Sequence, residues 1–325
     1  MKKISLLLTI FFLAFSQLSL SFQSVHAISN SESRSHANTE AKRMNLDNEK
    51  ISLNDDEVDS GSLNNSDNDF DIRDIGLGVI IIGYDDDQTK DVVIPSEING
   101  KPVIEIGYEA FSDKQLTSVT IPSSVTIIGG HAFSNNQLTS IAIPSSVTTI
   151  EMGAFSNNQL TNIEIPPSVT TIESYVFSTN QLRNIAIPST VTTIGNYAFS
   201  DNQLTSVEIP SSVTTIGLSA FRSNHLTSLH IPSSVTAIGS YAFSDNQLTS
   251  IKIPSSETKI GSYAFANNQL ASIEILSSVT TIGWRMFDLN PLDFVTSQGV
   301  YDFLQRQQLA LMIDCVLQLT EDASF

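Results

Sequence analysis

Histidines, cysteines and clustered carboxylates carry most catalysis and metal binding, and this chain of 325 residues has few of them in a useful arrangement. Its five histidines are His26, His36, His131, His225 and His230, and no nucleophile, base and orienting group recur around them at the spacings of a triad. Cys315 is the lone cysteine, so an internal disulfide and a paired-thiolate zinc site are both excluded; it reads as a small buried apolar group. The stretch Asp67-Asn-Asp-Phe-Asp71 begins like a calcium loop, but Ile72 stands where an EF-hand needs Gly and Gly78 where it needs Glu. The residues therefore predict no enzyme activity, no catalytic or metal-ligating side chains and no cofactor. One set is different: Glu208, His230, Lys252 and Glu274 lie 22 residues apart and are charged and varied against a Ser/Thr background. They are the candidate ligand-binding residues, able to form ion pairs and hydrogen bonds with a partner. In the structural alternative they pair only with one another across neighbouring coils, at under about 1 kcal/mol each.

What must position such residues is a 22-residue unit, seen cleanly from Leu116 to Gln137 and then repeated without a gap. Phe111, Phe133, Phe155, Phe177, Phe199, Phe221, Phe243, Phe265 and Phe287 keep that spacing throughout, and a fixed period means stacked coils. Within a unit the apolar positions are Leu116, Val119, Ile121, Val125, Ile128, Ala132 and Phe133. The opening L-x-x-[IV]-x-I alternates as a strand does, and the Pro that follows, such as Pro122 or Pro210, cannot donate to a ladder and ends it. The next stretch, V-T-T-I-G-x-x-A-F, has spacings of three, four and one that suit a bend and a short helical turn. No coil can bury its apolar face alone, so neighbours must stack and pair their strands in parallel. The residue before the second Ile then points outward, and stacking gathers Thr120, Ala142, Glu164, Ala186, Glu208, His230, Lys252 and Glu274 into one column at about 4.8 Å steps.

Other columns read as scaffold. Asn136, Asn158, Asn180, Asn202, Asn224, Asn246, Asn268 and Asn290 recur without exception, and a buried amide that donates and accepts can satisfy backbone groups at a coil corner. Thr126 and its equivalents form a second unbroken column, suited to extended backbone. Gly129, Gly195, Gly217, Gly239, Gly261 and Gly283 share a position that Glu151 and Glu173 also occupy, so a positive φ is not expected there. Glu257 stands in a core position that Val holds elsewhere, beside Lys259, and reads as drift offset by local pairing.

Units of the form L-T-x-[IV]-x-I-P-x-S-V-x-x-I-G-x-x-A-F resemble the BspA-like family of leucine-rich repeats, and the likeness covers residues 79 to 291. The units have 22 residues where the family often has 23, and carry Asn after Phe-Ser where many members carry Cys. The resemblance implies a β-rich leucine-rich-repeat solenoid of about nine stacked coils, one strand each. It also implies a surface or secreted microbial protein, in a family linked with adhesion to host proteins and to other cells.

The ends differ from the repeat. Residues 1–27 combine Lys2 and Lys3, an apolar run and a Val25-His26-Ala27 ending, the pattern of a signal peptide. Residues 28–75 read as an acidic disordered linker, because the 16 acidic residues between 28 and 91 face 6 basic ones and apolar groups are sparse. Residues 76–115 are expected to form an N-terminal cap and irregular first coil, with Val79 to Ile94 as a hairpin closed by Asp85 to Lys90. Eight 22-residue repeats follow at 116–291, then a helical C-terminal cap at 292–325. The net charge of −18 disfavours nucleic acid and anionic membranes, and the apolar run from Leu309 to Leu319 is too short to span a bilayer. The expected function is a monomeric bacterial module, secreted or at the cell surface. It would bind a host matrix protein or another microbial surface through the solenoid strand face, without membrane insertion once the signal is cleaved. The alternative is a self-assembling coat or matrix protein, with ice binding through the Thr columns a remote third.

Overall fold

The computed structural model describes residues 69–86, 88–253, 259–275 and 281–291. The expected signal peptide, Glu257, Cys315 and the helical cap at 292–325 lie outside the described residues. Among the described residues sixteen strands run in chain order: β1 (Phe70–Asp74), β2 (Val79–Tyr84), β3 (Asp91–Val93), β4 (Glu97–Ile98), β5 (Lys101–Ile106), β6 (Ser118–Thr120), β7 (Ile127–Ile128), β8 (Thr149–Ile150), β9 (Thr171–Ile172), β10 (Thr193–Ile194), β11 (Thr215–Ile216), β12 (Ala237–Ile238), β13 (Ser250–Ile253), β14 (Lys259–Ile260), β15 (Ser272–Ile275) and β16 (Thr281–Ile282). Parallel pairing at a 22-residue offset, Thr193 with Thr215 and Ile194 with Ile216 for example, makes the chain a β-solenoid. Among the described residues there is no helix.

The interior follows the repeat. Leu116, Val119, Ile121, Val125, Ile128, Ala132 and Phe133 are all buried, as are most of their described counterparts in later coils, with Ile143, Leu229 and Phe287 half-buried against them. The Phe rings stack nearly parallel down the axis, with centroids 5.6 Å apart for Phe133 and Phe155 and 5.3 Å for Phe199 and Phe221. Burying a ring of this size is worth about 1.5 to 3 kcal/mol before the stacking is counted.

The location of the ladder differs from the sequence expectation. Its longest runs lie on V-T-T-I, where a bend was expected, in two-residue strands β7 and β8 of one sheet and β9 to β12, β14 and β16 of another. On L-x-x-[IV]-x-I, full strands form only towards the ends, as β3 with β6 and β13 with β15. Between them that segment makes single parallel bridges such as Glu208 with His230. Each coil thus has two β segments joined by turns.

The glycine column explains why the V-T-T-I edge can close so tightly. A Cβ on Gly217 would meet the backbone C of Gly195 at 2.6 Å, and one on Gly261 the N of Ser240 at 2.3 Å. Close approach is what these positions need, and none of them has a positive φ. Glu151 and Glu173 take the glycine's place in successive coils, and there the ladder divides, β8 ending one sheet and β9 beginning the other. Left-handed backbone falls elsewhere, at Tyr175, Tyr197, Tyr241 and Tyr263 two residues past the glycine position, and at Asn135, Asp201 and Asp245 near the corner.

The N-terminal cap is a hairpin, but of other strands than expected. β1 pairs antiparallel with β2, Phe70 opposite Tyr84 and Asp74 opposite Val79. β1 therefore lies within the stretch assigned from sequence to the acidic linker. The run Asp91–Val93 does not return onto β2; it joins β6 in parallel, because it is the first coil's own strand segment. The short Phe70-Asp-Ile-Arg-Asp74 run had only one strongly apolar pair, and its partnering depends on Phe70 packing at 5.4 Å from Tyr84 and 6.2 Å from Phe111.

Candidate binding surface

The outward column on the strand segment is paired in register in three runs, 120–142, 164–230 and 252–274. Thr120 bridges Ala142, Glu164 bridges Ala186, Ala186 bridges Glu208, and Glu208 bridges His230. Lys252 is paired with Glu274 inside the β13–β15 ladder. Glu208, His230 and Lys252 are exposed, while their neighbours Val207, Ile209, Ile231, Ile251 and Ile253 are buried, so strict alternation holds the polar groups out of the core. The backbone of Glu274 is the next step of the same column.

The corner that follows Phe-Ser is built by the asparagines. Asn202 donates from Nδ2 to the carbonyls of Phe177 at 2.9 Å, Phe199 at 3.2 Å and Ser200 at 3.1 Å, and accepts from Leu182 N at 3.0 Å. It is 6% exposed, and Asn136, Asn158, Asn180, Asn224, Asn246 and Asn268 repeat the arrangement. Every hydrogen bond of the amide goes to backbone, which makes this column scaffold.

In the coils of His225, Gln247 and Gln269 the corner changes character. Arg222 replaces the Ser of earlier coils and donates from Nε to Asp245 Oδ2 at 3.0 Å, with its guanidinium 5.7 Å from the Tyr241 ring centroid. Asn267 donates to Asp245 Oδ1 at 2.7 Å, and Gln247 Nε2 lies 3.3 Å from His225 Nδ1. Burial alone would raise the Asp245 carboxyl, but the hydrogen bonds from Asn267, Arg222 and Ser244 hold it below the usual value. A groove of about 450 Å³ runs across these three coils, walled by Asp245 and Asn267 on one side and His225, Gln247 and Gln269 on the other.

A row of tyrosines on the turn edge was not anticipated, although their 22-residue spacing is visible in the sequence. Tyr175 stacks on Tyr197 at 4.7 Å and Tyr241 on Tyr263 at 4.8 Å, both 7° from parallel. Gly153 occupies the equivalent place beside His131, whose ring would lie 2.3 Å from any Cβ there. Among the described residues no three or more His, Cys, Asp or Glu side chains group to hold a metal ion. No helix among them is long and apolar enough to cross a membrane.

A family model for the BspA type leucine rich repeat region, in 6 copies, matches residues 104–227 and 192–307. These matches span more than half of the chain, which belongs to the BspA-type leucine-rich repeat family. Among solved structures, a leucine rich cell surface protein from Faecalibacterium prausnitzii A2-165 is 25% identical, with 74% of this chain and 78% of that one covered and a TM-score of 0.53. A leucine rich repeat protein of T. pallidum is 28% identical over 55% of this chain and 86% of its own, with a TM-score of 0.46. One from Bacteroides ovatus ATCC 8483 is 23% identical over 69% and 79%, with a TM-score of 0.47. No curated protein matches the chain. The protein is thus a repeat scaffold similar to bacterial surface leucine-rich-repeat proteins, of an architecture that typically serves binding rather than catalysis.

Proposed function

We propose that the chain is a secreted or cell-surface bacterial recognition and adhesion module. It binds a protein or surface ligand, a host matrix protein or another microbial surface, through the strand face at Glu208, His230, Lys252 and Glu274. The observation that carries this reading is the column itself: one outward position, in register over successive coils, changes from Thr120 and Ala142 to charged and varied groups from Glu208 onward. A solenoid needs no such variety at a solvated position, since the core and the Asn corner supply its stability. Export rests on the sequence of residues 1–27. The test is a binding screen of the mature protein against matrix proteins and microbial surfaces, repeated with Glu208, His230 and Lys252 all changed to Thr. Binding should be lost while the melting temperature stays within about 2 °C, as expected for exposed positions. Retained binding to a verified partner would sink the assignment.

A further inference from the structure

The groove at the Asn corner lies away from the strand face and is chemically unlike it. Its walls are Asp245 and Asn267, both in left-handed backbone, and His225, Gln247 and Gln269 in the adjoining column. Its floor is the buried amide ladder of Asn224, Asn246 and Asn268, whose N–H groups are all committed to backbone carbonyls. The groups at and beside the groove differ from those of earlier coils at three points. His225 stands where Gln159, Gln181 and Gln203 stand, Arg222 where Ser156 and Ser178 stand, and Ser223 where Asn157, Thr179 and Asp201 stand.

We infer that this groove is a binding site for a neutral oligosaccharide, taken up along the solenoid axis. Every lining residue is polar, so the apolar anchors on which peptide recognition depends have no pocket to enter. The exposed groups that remain are carboxamides, a hydroxyl and an imidazole, each able to donate and accept, which is what a row of sugar hydroxyls requires. The repeat supplies equivalent groups coil after coil, which suits a polymer of like units. A metal cation is disfavoured, because Asp245 is the one carboxylate in the lining and already accepts from Arg222, Asn267 and Ser244. An anionic polymer is disfavoured by that carboxylate and by the net charge of −18. The site does not depend on the strand-face reading.

The experiment is isothermal titration of the purified full chain with three soluble probes: hexasaccharides of β-1,4-linked glucose, of β-1,4-linked N-acetylglucosamine and of mannose. A Ser/Ala-rich decapeptide is the fourth arm. At least one hexasaccharide should bind saturably, and Gln247→Ala or Gln269→Ala should each weaken it by about tenfold, the loss of one good hydrogen bond. Gln159→Ala, in the same column four coils earlier, should leave affinity unchanged, and so should the Glu208, His230 and Lys252 to Thr triple variant. Thermal melts of each variant separate loss of binding from loss of fold. Absence of saturable binding by all three sugars overturns the inference. So does binding that survives Gln247→Ala and Gln269→Ala, that falls equally with Gln159→Ala, or that is shown by the decapeptide alone.

Discussion

Along the V-T-T-I edge the coils are bonded closely, with Gly195 N to Ile172 O at 2.7 Å and Thr192 N to Thr170 O at 2.9 Å. On the L-x-x-[IV]-x-I face the links after the Leu run from 3.1 Å for Thr161 N to Thr139 O to 3.4 Å for Thr249 N to Thr227 O, and in the middle coils strands shrink to single bridges. The difference has a chemical origin. Glycine lets one edge close until backbone meets backbone, whereas each Ile-Pro step on the other face removes a donor and lets that face open. The tight edge is consequently uniform, nearly all Thr, Ile and Gly. The open face is held by buried side chains and the Asn corner, so its outward positions are free to vary. The charged column of Glu208, His230 and Lys252 lies on that freer face.

The comparison breaks most severely at the corner that both faces share. Asn202→Ala leaves the Leu182 N–H without its partner and takes one of two donors from the carbonyls of Phe177, Phe199 and Ser200, and should cost about 1 to 3 kcal/mol, whereas the exposed Ser206→Ala should cost a few tenths. Urea unfolding midpoints of the two variants check this; equal midpoints would mean that the corner does not hold the coils. Gly217→Ala attacks the tight edge alone. Its Cβ would press on Gly195 C and force the Gly217 N to Ile194 O bond of 2.8 Å to lengthen, for an expected loss of about 1 to 2 kcal/mol. Hydrogen exchange should then show faster exchange at Gly217 and Thr215 and little change at Thr205. The smallest effect concerns pH. Because the Asp245 carboxyl is held below its unfolded value, its contacts stabilise the fold above the ordinary carboxylate range and are lost as pH falls through the native value. Between about pH 5 and pH 3 the wild type should lose slightly more stability than Asp245→Asn, by under about 1 kcal/mol for a partly exposed group. Parallel slopes for the two proteins would show that the carboxylate contributes nothing.

Much of this architecture was legible in the chain because a strict period reports directly on neighbours. A residue and its equivalent 22 positions on must be stacked, so the Phe core, the Asn corner and the outward pairs Glu208 with His230 and Lys252 with Glu274 could be placed from spacing alone. Spacing does not say which of two apolar segments will form the ladder. L-x-x-[IV]-x-I alternates and V-T-T-I does not, yet the longest runs of pairing fell to V-T-T-I because the glycine beside it permits the approach that Pro prevents on the other segment. The cap shows the same limit. Asp91–Val93 has the composition of a hairpin arm, yet it pairs with β6 one coil later, because the partner of a strand is decided by what lies beside it in the stack. The corner groove depends on tertiary structure in another way. Arg222, His225 and Asp245 are 3 and 20 residues apart in sequence. They meet, with the bond between Arg222 and Asp245, only because stacking carries one coil over the next. Composition and period therefore determined the coil, its core and its register in this protein. The edge that closes, the face that stays open and the groove at their corner were decided by backbone approach distances, which are properties of the packed coils and of no single one.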